Sequence, residues 1–457
     1  MMRRAAPAPP PESAEMVQEI LLKLPTRDVI RCCGVSRLWR RVVADPNFRS
    51  LHAEAEANHV SAAAAEALLV SITREPDWPD EASFFNVSSS MPTPMPHRVI
   101  TPNPYSLSNV CNGLLCFVCH DDSKAPAFVC NPLTGETATL PRAPLRHTTR
   151  HHLALAFSPS TKEHKLFSFT FSAPSLILGS NVDQCVYTLD GVAAGGGWRK
   201  RSYISECAPL LTLPPVLVQG KLYLVTTGRT EPGKPRNRDG LLEVDVATEA
   251  HRLYHLPIKK GEYHSAWDPL VIAFEMTGRL GLVVEIFRAK QTAVRKLQFW
   301  ELVSSGGDNG ASWNLRYSFY VDDGYRFLQT RNAWFDDREM TVCYKDHNAV
   351  FKLSTRGHSP EPSSDGDCTK CDRRLRLPRT PQNCEWNIFG GYRPTLLSPL
   401  TLAPSSWDIE EERQKFEEER QEFEEALLHT LRRRRRKTRK ARMKTAHTKT
   451  RKTKKDK

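Results

Sequence analysis

Two hydrophobic periods divide the chain, and the first is helical. Between residues 13 and 55, apolar residues recur on one helical face at Val17, Ile20, Leu21 and Leu24. Ser13 can cap this helix, Pro25 ends it, and Ser36 and Asp45-Pro46 can open later ones. The sequence therefore predicts a module of several short helices, too small to bury much apolar surface by itself.

From residue 105 to residue 402 the period is two, and short apolar runs alternate with Gly, Pro, Asn and Asp turns. A weak repeat runs from Gly113 to Pro141 and again from Gly220 to Pro257, with a partial third copy in residues 340–353. The first two copies start 107 residues apart, about twice the ~40–50 residues of one propeller blade. We therefore predict a β-propeller of six or seven four-stranded blades, with a stack of β-sandwich domains as the alternative.

The remaining segments differ from these two regions in composition. We expect a Pro-rich leader over 1–12, a helical connector and Pro-rich linker over 56–104, an acidic helix over 403–431 and a disordered basic tail over 432–457. The acidic segment repeats every seven residues, but it supplies only one apolar residue per heptad, which favours a single solvated helix over a coiled coil. The expected fold class is α plus all-β, in several domains.

The net charge of +13 belongs to the basic tail. Residues 432–457 hold 16 Lys and Arg against one acid, whereas the other 431 residues hold 49 basic and 51 acidic side chains. No apolar run approaches the ~20 residues of a membrane helix, and the start resembles no secretory signal, so we expect no membrane partner. Twelve cysteines in such a chain predict reduced thiols in the nucleus or cytoplasm.

The basic run has three interpretations, which are not exclusive. It comprises Arg432, Arg433, Arg434, Arg435, Arg436, Lys437, Arg439 and Lys440. It can act as a nuclear import signal, contact nucleic acid non-specifically by releasing counterions, or fold back on the acidic segment. No aromatic residue lies among the basic ones, so a base-stacking platform is not expected.

No catalytic or cofactor motif stands out. We find no phosphate-binding loop, no nucleophile elbow and no zinc-protease motif, so we expect a protein without catalytic residues, cofactor or metal. Cys116 to His120 fits a haem-attachment pattern, but within a predicted strand. Cys368, Cys371, Cys384 and His358 are possible zinc ligands, but their irregular spacing favours exposed thiols.

The helical module resembles an F-box. The resemblance rests on Ile20 to Pro25, Val29, Val35 to Trp39, Asp45 to Phe48 and His52 in order and spacing, although Ser13-Ala14 replaces an opening Leu-Pro. It implies docking on a Skp-type adaptor that is bound to a cullin. The residues that it implies for adaptor binding are Leu21, Leu24, Pro25, Val29, Val35, Trp39 and Phe48. Some of these must form the module's own core, most readily Val35 and Trp39.

The β region resembles the F-box-associated or kelch-like propeller of large plant families. The motifs are Cys111–Cys116 and Asn131–Pro141. Together the two resemblances imply the substrate-recognition subunit of a Skp–cullin–F-box ubiquitin ligase, in which the propeller holds an unknown target protein. Trp267, Trp313, Trp334 and Trp386 are candidate target anchors. The alternatives are a nuclear nucleic-acid-associated scaffold that acts through the basic tail, and a propeller enzyme.

Overall fold

The structure is a computed structural model, and it describes most of the chain between residues 13 and 402. The described residues are 13–59, 66–74, 80–87, 92–101, 105–119, 126–144, 151–171, 180–189, 197–205, 207–209, 213–228, 240–257, 270–276, 278–287, 295–303, 312–321, 330–335, 339–344, 350–354, 373–374, 377, 384–402, 421, 425, 428–429 and 432.

Four short helices form the N-terminal module, as the sequence predicts. They are α1 (Ala14–Leu21), α2 (Thr26–Cys32), α3 (Arg37–Ala44) and α4 (Pro46–His59). The Ser13 and Ser36 hydroxyls accept hydrogen bonds from the first turns of α1 and α3, and Asp45 does the same for α4. Local capping therefore sets where these helices begin, and Pro46 occupies the first turn of α4.

The next twelve strands form three antiparallel sheets. The first contains β1 (Glu66–Thr73), β2 (Asp80–Asn86), β3 (Thr93–Pro94) and β4 (Val99–Thr101). The second contains β5 (Tyr105–Cys111), β6 (Leu114–Cys119), β7 (Phe128–Cys130) and β8 (Thr137–Thr139). The third contains β9 (His151–Ser158), β10 (Glu163–Phe171), β11 (Ser180–Thr188) and β12 (Arg199–Ser205).

Two further sheets and a returning strand complete the β region. The fourth sheet contains β13 (Cys207–Pro209), β14 (Val216–Val218), β15 (Lys221–Gly228), β16 (Gly240–Asp245) and β17 (His251–His255). The fifth contains β18 (Leu270–Met276), β19 (Arg279–Phe287), β20 (Arg295–Val303), β21 (Ser312–Val321), β22 (Thr330–Phe335), β23 (Glu339–Tyr344), β24 (Val350–Ser354) and β25 (Arg373–Arg374). Strand β26 (Cys384–Tyr392) returns to the first sheet, and a 3₁₀ turn (Pro399–Leu402) follows it.

The ring of sheets closes through β26. This strand pairs antiparallel with β1 along nearly its whole length, from Glu66 opposite Tyr392 to Thr73 opposite Cys384. The first and last strands of the propeller therefore share one sheet. Apolar clusters fill the spaces between neighbouring sheets, and one of them joins side chains of β5 and β6 to those of β1, β2 and β26.

The structure corrects the blade count, because the described strands form five sheets, against six or seven predicted blades. The reason lies in the fifth sheet, where two four-stranded meanders, β18–β21 and β22–β25, are joined by one parallel pair, Met276 with Phe335. Counting residues per blade could not reveal this junction.

The propeller also begins earlier than predicted. Strands β1–β4 lie at residues 66–101, inside the stretch expected to be a helical connector and Pro-rich linker, whereas α4 accounts for helix only as far as His59. In β1, the five consecutive residues Ala67–Ser71 are buried, so its sequence lacks the alternation that marks a half-exposed strand.

The sequence repeat corresponds to equivalent positions in the second and fourth sheets. Gly113 and Gly220 each take the second place of a two-residue hairpin turn, with φ of +76° and +75°, and the preceding residues also have positive φ. This is the geometry of a type I′ turn, which favours glycine. The segments after β7 and β16 form the second turn of each copy.

None of the helices among the described residues is long and apolar enough to cross a bilayer. The thiols of Cys111, Cys116, Cys119, Cys130 and Cys185 are buried, where a thiol behaves as a small apolar side chain.

Candidate functional site

The helical module has its own apolar core, and it contains several of the predicted adaptor-binding residues. Leu21, Val29 and Phe48 are buried in it. Leu24 and Trp39 are half-buried and pack against it. Pro25 and Val35 are exposed. Adaptor binding by this set stays a prediction, and only part of the set lies at the surface.

Val35 differs most from expectation, because we expected it to be structural and its side chain is 65% exposed. It follows Gly34 in the turn between α2 and α3, so no helix buries it. Met16 and Ile20, 48% and 43% exposed, lie one turn apart on α1. The predicted set omitted both. The sequence contained a signal for both residues, because Ile20 belongs to the apolar stripe of α1 and Met16 lies one turn before it.

A residue that follows the propeller in the sequence completes the apolar core of the helical module. Residues 393–398 follow β26, and we call them the strap. Leu396 of the strap is fully buried in the same cluster as Val17, Leu21 and Phe48. The Thr26 hydroxyl, at the start of α2, donates a hydrogen bond of 3.2 Å to the Pro394 carbonyl oxygen. The helical module is therefore packed directly onto the closing end of the propeller.

A charged contact fixes α4 to the second sheet. The Arg49 guanidinium donates to both carboxylate oxygens of Glu136, at 2.8 and 2.9 Å. Burial acts to raise the pKa of Glu136, but hydrogen bonds from Arg49 and Ser398 outweigh it and hold the pKa below its ordinary value. Such a paired, charge-assisted contact is more directional than an ordinary surface ion pair.

A second charged contact joins α2 to the first sheet. Arg27 forms an ion pair with Glu66 of β1, and the Asn86 amide donates to the same carboxylate at 2.5 Å. Burial raises the pKa of Glu66 despite the neighbouring guanidinium, so this carboxylate ionises less readily than an exposed one.

The remaining candidate residues fall into two groups. Cys384 is buried beside Trp386 in an apolar cluster, while Cys368, Cys371, His358 and His120 lie outside the described residues. No group of three or more potential metal ligands occurs among the residues that the structure describes.

The tail and the acidic segment are described at five positions only. Arg432 is exposed, and the rest of the basic run lies outside the described residues. Gln421, Glu425, Leu428 and His429 are helical and exposed, so a helix over the whole of 403–431 stays a prediction.

Two of the proposed tryptophan anchors belong to the propeller's interior. Trp334 and Trp386 are 5% and 2% exposed, which leaves them no surface for a target. Trp313 is half-buried and donates through its ring nitrogen to the His255 carbonyl at 2.8 Å, and Trp267 lies outside the described residues.

Comparison with known proteins identifies both the four-helix module and the β-propeller. The F-box-associated β-propeller profile matches residues 60–309, and the F-box profile matches residues 13–51. This chain belongs to the F-box-associated β-propeller family, as its motifs indicate.

Related proteins from Arabidopsis thaliana are also F-box proteins. A putative F-box protein is 27% identical over 35% of this chain and 41% of its own length, and F-box protein DOR is 26% identical over 42% and 49%. The chain thus spans about two fifths to one half of these relatives. A putative F-box/kelch-repeat protein is 24% identical over 74% of this chain and 81% of its own length.

Two solved structures show weak overall similarity. Citrobacter koseri AztD has a TM-score of 0.34 at 8% identity, covering 71% of this chain and 98% of that protein. The β-propeller domain of the Trilobed protease from Pyrococcus furiosus has a TM-score of 0.30 at 9% identity, covering 67% and 96%. At these scores the similarities carry no functional argument.

Proposed function

We propose that this protein is the substrate-recognition subunit of a Skp–cullin–F-box ubiquitin ligase. The F-box would dock on a Skp-type adaptor and through it on a cullin, and the propeller would hold a target protein for ubiquitin transfer. The role needs no catalytic residue in this chain, because holding a target near the conjugating enzyme raises its effective concentration.

The observation that carries the proposal is the apolar surface left on the F-box. Eight large apolar side chains are exposed among the described residues, and four of them, Met16, Ile20, Val35 and Leu51, lie within the F-box match of residues 13–51. Apolar side chains at one-turn spacing on a helix are suited to filling a partner's groove. The family's adaptor role supplies the partner.

Side-chain exposure suggests different roles within the predicted adaptor-binding set, to which we add Met16 and Ile20. Met16, Ile20, Pro25 and Val35 are exposed and would touch the adaptor directly. Leu21, Val29 and Phe48 are core residues whose role is to hold the helices in position. Leu24 and Trp39 are half-buried, and they can contribute to both.

The test is a titration of the full-length protein with a purified Skp-type adaptor. We expect Val35→Asp to weaken binding at least about tenfold, because a charge would replace an exposed apolar side chain of the proposed interface. Ile204→Asp is the matched control, since Ile204 is 69% exposed on β12, outside the F-box. If the wild type does not bind the adaptor, or if both variants weaken binding equally, the proposal fails.

We also propose that the basic run places the protein in the nucleus as well as the cytoplasm. The support is its local charge and the exposure of Arg432. A fluorescent fusion in which the eight basic residues are replaced by Ser should lose nuclear accumulation. Sequence-selective DNA or RNA binding that survives this replacement would favour a nucleic-acid scaffold over both proposals.

A further inference from the structure

We propose that two turns of the second sheet form a mount that fixes the orientation of the F-box on the propeller. The turns are Asn112–Gly113 and Asn131–Glu136, and Asn131 and Glu136 are the positioning residues. The inference rests on the proposed ligase function. In that function, the orientation of the F-box on the propeller determines where a bound target lies relative to the adaptor.

Asn131 holds the strap through hydrogen bonds from its side-chain amide. This side chain is 1% exposed, and its amide nitrogen donates to the carbonyl oxygens of Thr395 and Leu397, at 3.0 and 2.9 Å. Its amide oxygen accepts from the Leu133 backbone at 2.9 Å. Both donors of one amide group thus hold the backbone on either side of Leu396, whose side chain enters the F-box core.

Gly113 lets the strap lie close to the hairpin turn. A β-carbon at this position would lie 2.2 Å from the Arg393 carbonyl oxygen and 2.7 Å from the Thr395 methyl carbon. These distances are too short for any side chain, so the strap depends on glycine here for space as well as for backbone conformation.

Glu136 links the same turn to the F-box itself. Its carboxylate takes the paired hydrogen bonds from Arg49 of α4, and Thr134 within the turn also donates to it, at 3.2 Å. The Asn131–Glu136 turn thus holds the strap with one end and α4 with the other. Two elements of the F-box interface are fixed by six consecutive residues.

The second copy of the repeat provides an internal comparison. There Asp245 stands in place of Asn131, and its carboxylate accepts from the Thr248 backbone and hydroxyl, at 2.8 and 2.9 Å. By its backbone Glu249 corresponds to Gly135, since both have positive φ and both amides donate to the carbonyl oxygen of the first turn residue. Its carboxylate nonetheless contacts a neighbouring element, as that of Glu136 does, and accepts from Lys165 and Arg199 of the third sheet, at 3.1 and 2.6 Å. A β-carbon on Gly220 would contact Pro159, at 2.6 Å.

In both copies of the repeat, the second turn therefore contacts the element that packs against its sheet. In the second copy the neighbour is the third sheet, and in the first copy it is the strap with the F-box. The difference between Asn131 and Asp245 follows from this. The first copy needs an amide that can donate to two strap carbonyls, and a carboxylate has no proton to donate.

The experiment is hydrogen exchange of the full-length protein, measured by mass spectrometry. The variants are Asn131→Asp, which keeps the shape and removes the donors, and Glu136→Gln, which weakens the contact with Arg49. Glu249→Gln is the matched control. We expect amides in α2 and α4 to exchange at least about tenfold faster in the first two variants, because bonds to charged or buried groups are lost.

The outcomes separate the proposals. In Glu249→Gln, faster exchange should be confined to the third and fourth sheets, with the helices unchanged. The proposal is wrong if α2 and α4 exchange at the wild-type rate in Glu136→Gln. It is also wrong if they exchange as fast in the Glu249→Gln control as in Glu136→Gln. If Asn131→Asp does not fold, Glu136→Gln still decides the question. The readout needs no adaptor, so a protein that shows the expected exchange but does not bind adaptor would refute only the ligase proposal.

Discussion

Replacement of Leu396 by Ala should destabilise the F-box, although this residue lies more than three hundred positions after it in the chain. The Leu396 side chain is 0% exposed and belongs to the same apolar cluster as Val17, Val29 and Phe48. Fully buried Leu→Ala changes cost about 2–5 kcal/mol, through lost transfer free energy and the cavity left behind. The module has few other buried apolar residues, so we expect a value in that range for opening the F-box.

The assay is native-state hydrogen exchange in α1 and α3, which gives the free energy of local opening. Leu400→Ala is the matched control, four positions later and 58% exposed. Its effect should stay within about 0.5 kcal/mol, as for most surface changes. Equal effects of the two substitutions, or a loss of protection confined to the β-sheets, would refute a core shared between the F-box and the strap.

Three other predictions concern ionisable groups. Because the pKa of Glu136 is lowered in the folded protein, the stabilisation of α4 by its contact with Arg49 should be present at neutral pH and lost as the pH falls through that pKa. Hydrogen exchange in α4 compared between wild type and Glu136→Gln should therefore converge in acid, and a constant difference would contradict this. Burial raises the pKa of Glu275, so its ionisation opposes folding as the pH rises above the ordinary value. Thermal unfolding of Glu275→Gln should depend less on pH above the ordinary glutamate pKa than that of the wild type, and an unchanged slope would argue against this. Burial raises the pKa of Cys116 to about 12 and also raises that of Cys130, so alkylation at neutral pH should label these thiols only after unfolding. Labelling of either thiol in the native protein, read by peptide mass spectrometry, would show that the second sheet opens.

Local signals in the sequence predicted the helices and the hairpin turns well. Ser13, Ser36 and Asp45 act as caps whatever surrounds them, and the two-residue turn at Gly113 depends only on its own backbone. These features are set by residues within three or four positions of each other, so a sequence pattern is enough to find them.

Contacts between distant segments could not be predicted in this way. Nothing in the sequence near Leu396 marks it as part of the F-box core. The difference between Asn131 and Asp245 does not by itself show that the first turn contacts the F-box and the second a sheet. In a module this small, which apolar residues face inward depends on what packs against it. The exposure of Val35 has a local cause instead, because the turn between α2 and α3 leaves its side chain outside the helical core.

The position of strand β1 shows a different limit. Its five consecutive buried residues show no alternation of apolar and polar side chains, and the Ala-rich sequence before them favours a helix by intrinsic propensity. Only its pairing with β2 and β26 determines that this segment is a strand.

Closure by β26 has a consequence for shortened forms of this protein. A chain ending before residue 384 would keep every residue of the F-box match yet lack both the partner strand of β1 and the Leu396 side chain. If the proposed ligase function holds, a premature stop codon late in the gene should thus abolish adaptor binding together with target binding. Truncated alleles of this kind should behave as simple losses of function, without a surviving F-box to compete for the adaptor.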